Sequence, residues 1–101
     1  MKFSIITPSF NMLPYLKLCR NSIRDQNHSN YEHIIIDGDS NDGTKVWLND
    51  KNLNYTSEQD SGMYDAINKG LATATGEIIS YLNCDEQYLP KTLDTVENFF
   101  N

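Results

Sequence analysis

The sequence predicts an α/β domain over residues 1–101, built as a Rossmann-like, three-layer parallel sheet with strands ordered about 3-2-1-4. Two observations carry this. Four short apolar, β-branched runs are each followed by a segment with helical apolar spacing, and strand–helix alternation implies parallel strands joined by right-handed crossovers. Each run also stops abruptly in polar residues, as strands do where they leave a buried sheet.

"KFSIITP" (2–8) reads as the first buried strand. Pro14 suits a helix start, and Leu16, Cys19 and Ile23 recur at helical spacing, giving a helix over 14–26. "YEHIIID" (31–37) is the second strand, followed by a Gly/Asp turn and a short helix over 44–50. In that turn Asp42 is expected to cap the helix. "LNYTSE" (53–58) is a weaker third strand. Residues 61–76 read as a helix with Met63, Ile67, Leu71 and Ala74 as its apolar stripe, Ser61 as its cap and Gly76 just past its end. "EIISYLN" (77–83) is the fourth strand, and Pro90 opens a last helix with Leu93, Val96 and Phe100 on one face.

The length allows one small domain. Fourteen acids against eight bases give a formal charge of −6. That balance argues against nonspecific binding to nucleic acid or to an anionic membrane, which needs clustered Lys and Arg. No apolar run approaches the ~20 residues of a membrane span, and no secretion-signal pattern opens the chain. The expectation is a cytoplasmic protein, peripheral if it meets a membrane at all. Cys19 and Cys84 lack metal-type spacing and read as free thiols.

In open α/β sheets, ligands bind outside the carboxyl ends of the strands. Those ends here hold Thr7, Pro8, Ser9 and Asn11; Asp37, Gly38 and Asp39; Glu58 and Asp60; Asn83, Asp85 and Glu86. Turn chemistry explains each edge taken alone, but the fold gathers all four into one crevice. Acids beside a phosphate would repel it unless a hard divalent cation, Mg²⁺ or Mn²⁺, lay between. Neither a G-x-G-x-x-G fingerprint nor a G-x-x-x-x-G-K-[ST] loop is present. A phosphoaspartate receiver would want acids after the first strand, where Thr7, Pro8 and Ser9 stand.

"SIITPSFN", "YEHIIIDGDSNDGT" and "SEQDSGMYDAINKGLATATGEIISYLNCDEQYLP" together resemble the N-terminal half of family 2 glycosyltransferases with the GT-A fold. The resemblance implies that Thr7, Pro8, Ser9 and Asp37 contact the base and ribose of a nucleotide-diphosphate sugar. It places Asp60, Gly62, Asn68 and Lys69 along the nucleotide pocket and makes Asp85 the metal-binding acid of a DxD-type motif. Asp39, a further nucleotide-contact candidate, stands where relatives carry glycine; Gly38 stands where many carry a second acid, and Glu86 replaces a common aspartate.

The implied reaction is inverting transfer from a donor, taken to be a UDP-sugar, to a saccharide or lipid-linked acceptor. The catalytic base and acceptor site are expected in a second half of the fold, since no residue here matches them. Two readings follow: a donor-binding glycosyltransferase domain, or a non-catalytic nucleotide-binding half-domain whose uncovered sheet favours homo-oligomers. For several residues a plainer explanation suffices. Lys69 with Asp65 fits an i,i+4 surface pair, Trp47 and Tyr88 fit packing, His28 and His33 read as structural or exposed, and Cys84 reads as a small core residue.

Overall fold

The computed structural model describes residues 1–26 and 28–100. Along the chain run β1 (Phe3–Ser9), α1 (Leu13–Arg24), β2 (Tyr31–Asp37), α2 (Thr44–Asp50), β3 (Tyr55–Ser57), α3 (Met63–Thr73), β4 (Ile78–Tyr81) and α4 (Thr92–Phe100). The sheet is wholly parallel, in the order β3-β2-β1-β4. This is the order expected from the sequence.

The two apolar runs richest in isoleucine take the sheet centre, where both faces are covered. All seven residues of β1 are buried, as are the last five of β2. Side chains alternate between the faces. Phe3 and Ile5 meet Cys19 and Ile23 of α1 and Leu93 of α4. Ile35 meets Leu16 of α1 and Leu48 of α2. Ile6, Ile34 and Ile36 point the other way, onto Ala66 of α3. Each isoleucine so buried contributes about 1.5–3 kcal/mol. Three helices therefore cover one face, and α3 covers the other.

The stripe expected on α3 is displaced by one residue. Ala66 and Gly70 are the buried positions, while Met63 and Leu71 are exposed. The reason is distance of approach. A β-carbon at Gly70 would lie 2.5 Å from Ile6 Cγ2, so the helix comes closer to β1 than any larger residue permits. A side chain's size, which periodicity ignores, chose the face.

The ends of α3 also differ from expectation. Gly62, not Ser61, precedes the first turn, at φ 109° where glycine alone is unstrained. The Ser61 amide instead donates to Asp65, 2.9 Å away. Gly76 lies beyond the helix end, pressed against Ser4 of β1. Gly43, not Asp42, is the N-cap of α2, and no side chain caps that helix; Asp42 accepts the Thr44 amide at 3.2 Å in a turn just before it and the Leu13 amide at 3.0 Å, and so ties the start of α2 to the start of α1. Helix α4 begins at Thr92 rather than Pro90, and its Phe100 is exposed while Leu93 and Val96 face the core.

β4 forms one border of the sheet. On the side that α3 covers elsewhere, its Ile79 and Tyr81 stay 46% and 54% exposed. The first turn of α3 and the carboxyl ends of β1, β2 and β4 open onto the same space, and that placement defines the site.

Gly70→Ala tests the close approach of α3. Forcing a methyl into this contact is expected to cost about 1–3 kcal/mol, seen as a lower urea midpoint with an unchanged m value. An unaltered midpoint would show that Ile6 yields freely and that α3 is not held at this distance.

Candidate functional site

Asp37 ends β2, and its carboxylate is fully buried. Three donors satisfy it: the Ser40 amide at 2.9 Å, the Ser40 hydroxyl, and the Ser57 hydroxyl at 2.8 Å. Ser40 Oγ in turn accepts the Asn11 amide at 2.8 Å, and Asn11 Oδ1 accepts the Asn41 amide at 2.8 Å. The Gly38 amide donates to the Ser9 carbonyl at 2.8 Å. The loops after β1 and β2 and the end of β3 are thus joined through one carboxylate.

These loops frame a cleft of about 530 Å³. Pro8, Phe10, Met12, Met63 and Ala66 supply an apolar lining; Ser9, Asp60, Asn83 and Asp85 supply polar groups. No lysine, arginine or histidine lines it among the described residues. Asp60 accepts the Gly62 amide through Oδ1 at 3.1 Å, and its Oδ2 lies across Gly38. Glu86 is folded back, accepting the Asn83 amide at 3.0 Å, which leaves Asp85 as the exposed acid of that loop lining the cleft.

Two buried atoms here lack partners: Ser9 Oγ and Asn83 Oδ1. The thiol of Cys84 beside Ser9 is a weak partner. Burial pushes that thiol above its usual value, with the Asp85 charge adding to the effect, so it stays protonated and serves as core. Unpaired buried oxygens are costly. They line the same cleft as the Asp85 carboxylate, and all three are hard oxygen donors of the kind divalent cations take.

Of the residues singled out in sequence, Pro8, Ser9, Asp60, Gly62 and Asp85 are brought together around the cleft. Thr7, Asp37, Asp39 and Lys69 do not line it. Thr7 is buried under the floor, 2.7 Å from His33 Nε2. Asp37 spends its oxygens on the loops. Asp39, at φ 68°, pairs with Lys45. Lys69 pairs with Glu58 at 3.1 Å and Asp65 at 3.5 Å, the surface pair its spacing suggested.

Asn68 is exposed on α3 and does not line the cleft. Sequence reasoning misses Phe10 and Met12 and finds Asn83 only as a strand end. Phe10's signal is its position, an aromatic directly after the polar end of β1. The uncapped start of α3 is hidden by Ser61, whose type suits a cap.

A second group of possible metal ligands lies outside this cleft: His28, Asp94 and Glu97 come within 4.8 Å of one another. Glu97 there accepts the N-terminal ammonium at 2.9 Å and His28 Nε2 at 2.9 Å. The protein thus already supplies a cationic partner at that carboxylate.

The fold has counterparts. Among solved structures, the chain matches S. aureus TarS in complex with UDP-GlcNAc, with a TM-score of 0.86 at 27% identity over 99% of this chain and 31% of that one. It also matches the mannosyltransferase PcManGT from Pyrobaculum calidifontis in complex with GDP-Man and Mn²⁺, with a TM-score of 0.80 at 25% identity over 96% of this chain and 30% of that one. An uncharacterized glycosyltransferase of Mycobacterium tuberculosis is 37% identical over 84% of this chain and 34% of its own length. The chain spans about a third of the length of these proteins. The family model for glycosyl transferase family 2 matches residues 4–101, and the chain belongs to that family.

Proposed function

We propose that the chain binds the nucleotide-diphosphate sugar of an inverting glycosyl transfer, with a divalent cation. The observation that carries this reading is the cleft itself. It combines an apolar floor, two acids, two unpartnered buried oxygens and, among the described residues, no cationic side chain. The apolar part, with the exposed ring of Phe10, suits a planar base. The acidic part cannot take a diphosphate without a counter-cation.

Asp85 and Asn83 are the residues we assign to that cation, Mg²⁺ or Mn²⁺. When bound, it would neutralise charge on the departing diphosphate. Ser9 and Asp60 offer hydrogen-bonding oxygens for the nucleoside, and the uncapped amides of α3 favour phosphate at its first turn. Asp37 acts as a positioning residue, holding Ser40, Asn11 and Gly38 where the walls need them. In the reaction an acceptor hydroxyl attacks the anomeric carbon as the bond to the diphosphate breaks. We assign the base that takes the hydroxyl proton to a part of the fold outside this chain. UDP is the nucleotide proposed, because TarS, the solved counterpart with the higher TM-score, holds UDP-GlcNAc. The acceptor is proposed to be a saccharide or a lipid-linked saccharide.

The exposed face of β4 favours a second reading, association of two copies of this chain through Ile79 and Tyr81. Sedimentation is expected to show a dimer that Tyr81→Lys disperses; a monomer at high concentration would contradict it. For the donor site, calorimetry is expected to show UDP binding strengthened by Mn²⁺. Asp85→Ala should weaken the Mn²⁺-dependent part by at least about tenfold. Metal-independent binding, or an unaltered Asp85→Ala variant, would sink the assignment.

A further inference from the structure

Four of the eight lysines and arginines in this acidic chain line one groove of about 520 Å³ between α1 and α2. Lys17, Arg20 and Arg24 come from α1, and Lys51 follows α2, with Trp47 and Leu53 between them. Among the described residues no acid lines the groove, and none of the four cations forms a salt bridge. It shares no residue with the cleft at the strand ends.

The partners these cations do have are neutral. Arg24 donates to Asn21 Oδ1 at 3.1 Å. Arg20 is half-buried and sits 3.2 Å from His33 Nδ1. Burial, with the nearby Arg20 charge, pushes the His33 imidazole down to about 3, so the ring is uncharged at neutral pH. A guanidinium can only donate, so Nδ1 accepts and Nε2 carries the proton toward Thr7. Arg20 is thereby oriented by a buried ring that cannot neutralise it. A partly desolvated cation held this way calls for an anion from outside.

We propose that this groove binds the phosphate headgroups of an anionic phospholipid surface and holds the protein peripherally on it. Charge complementarity supports this partner. A chain of charge −6 is repelled by an anionic surface except through such a patch, so the patch also sets which side faces it. Trp47, which packs in part on the Leu16 and Leu48 core, lines the groove; Val46 and Leu18, the exposed sequence neighbours of Trp47 and Lys17, add apolar surface on the same two helices, of the kind interfacial binding uses. None of the described helices is long and apolar enough to cross a membrane. A nucleic acid offers a longer run of phosphates than four cations in one groove neutralise, and the other surfaces carry the excess of acid.

Trp47 is the chain's one tryptophan, so its fluorescence reports on the groove directly. The full chain is titrated with vesicles of phosphatidylcholine containing one third phosphatidylglycerol, and with phosphatidylcholine alone. Expected are a blue shift and co-sedimentation with the anionic vesicles only, both weakened by added salt.

Lys17→Gln/Arg24→Gln should bind roughly thirtyfold more weakly, with an unaltered circular dichroism spectrum. Lys45→Gln/Lys91→Gln removes the same charge outside the groove and should bind as the parent does. The proposal is overturned by absent binding, by equal binding to the neutral vesicles, or by equal weakening in both double variants. It is also overturned if glycerol 3-phosphate or a DNA 20-mer reproduces the Trp47 response at lower concentration than the vesicles.

Discussion

The buried carboxylate of Asp37 is the constraint on which the site depends. A carboxylate with no exposure must be fully hydrogen-bonded or its burial is prohibitive, and here its donors come from two separate segments, at Ser40 and Ser57. Through Ser40 the constraint reaches Asn11, and through Asn11 it reaches Asn41. The backbone adds its own links, Gly38 to Ser9 and Glu58 to the Asp37 carbonyl. Loops that would otherwise move independently are fixed as one frame, so the cleft between them keeps its shape without a ligand. An acid to which the resemblance gives a nucleotide contact fastens the walls in the structure.

Within that frame, charge is sorted sharply. The cleft gathers Asp60 and Asp85 and no described basic side chain, while the groove between α1 and α2 gathers four bases and no described acid. Net charge averages the two away. Composition therefore argues against an anionic surface as partner, on the ground that Lys and Arg must be clustered. Lys17, Arg20 and Arg24 share one face of α1 by their spacing, and Lys51 joins them only when the end of α2 is laid beside it.

The architecture is legible in the sequence because its signals are local. Isoleucine runs, helical spacing and polar strand ends point to the four strands, their order and the location of the cleft; α2 matches to the residue. What escapes are features set by tertiary approach. The face of α3 is decided by Gly70 against Ile6, and the fates of Asp39 and Lys69 by neighbours at Lys45 and Glu58. Strand-end position and the family resemblance single out Pro8, Ser9, Asp60, Gly62 and Asp85, all of which line the cleft. Residue type does not distinguish an acid that lines a wall, such as Asp60, from one that holds it up, such as Asp37, because burial and partners separate them.

The central claim is that the end of β4, with the strand ends beside it, receives a metal-bound nucleotide. Paramagnetic broadening of backbone amide signals by Mn²⁺ in the presence of UDP tests this most directly. The account predicts that amides at Asn83, Cys84 and Asp85 broaden first, with Ser9 and Gly62 next, and that the pattern requires UDP. Broadening centred on His28, Asp94 and Glu97, or equal with and without UDP, would contradict it.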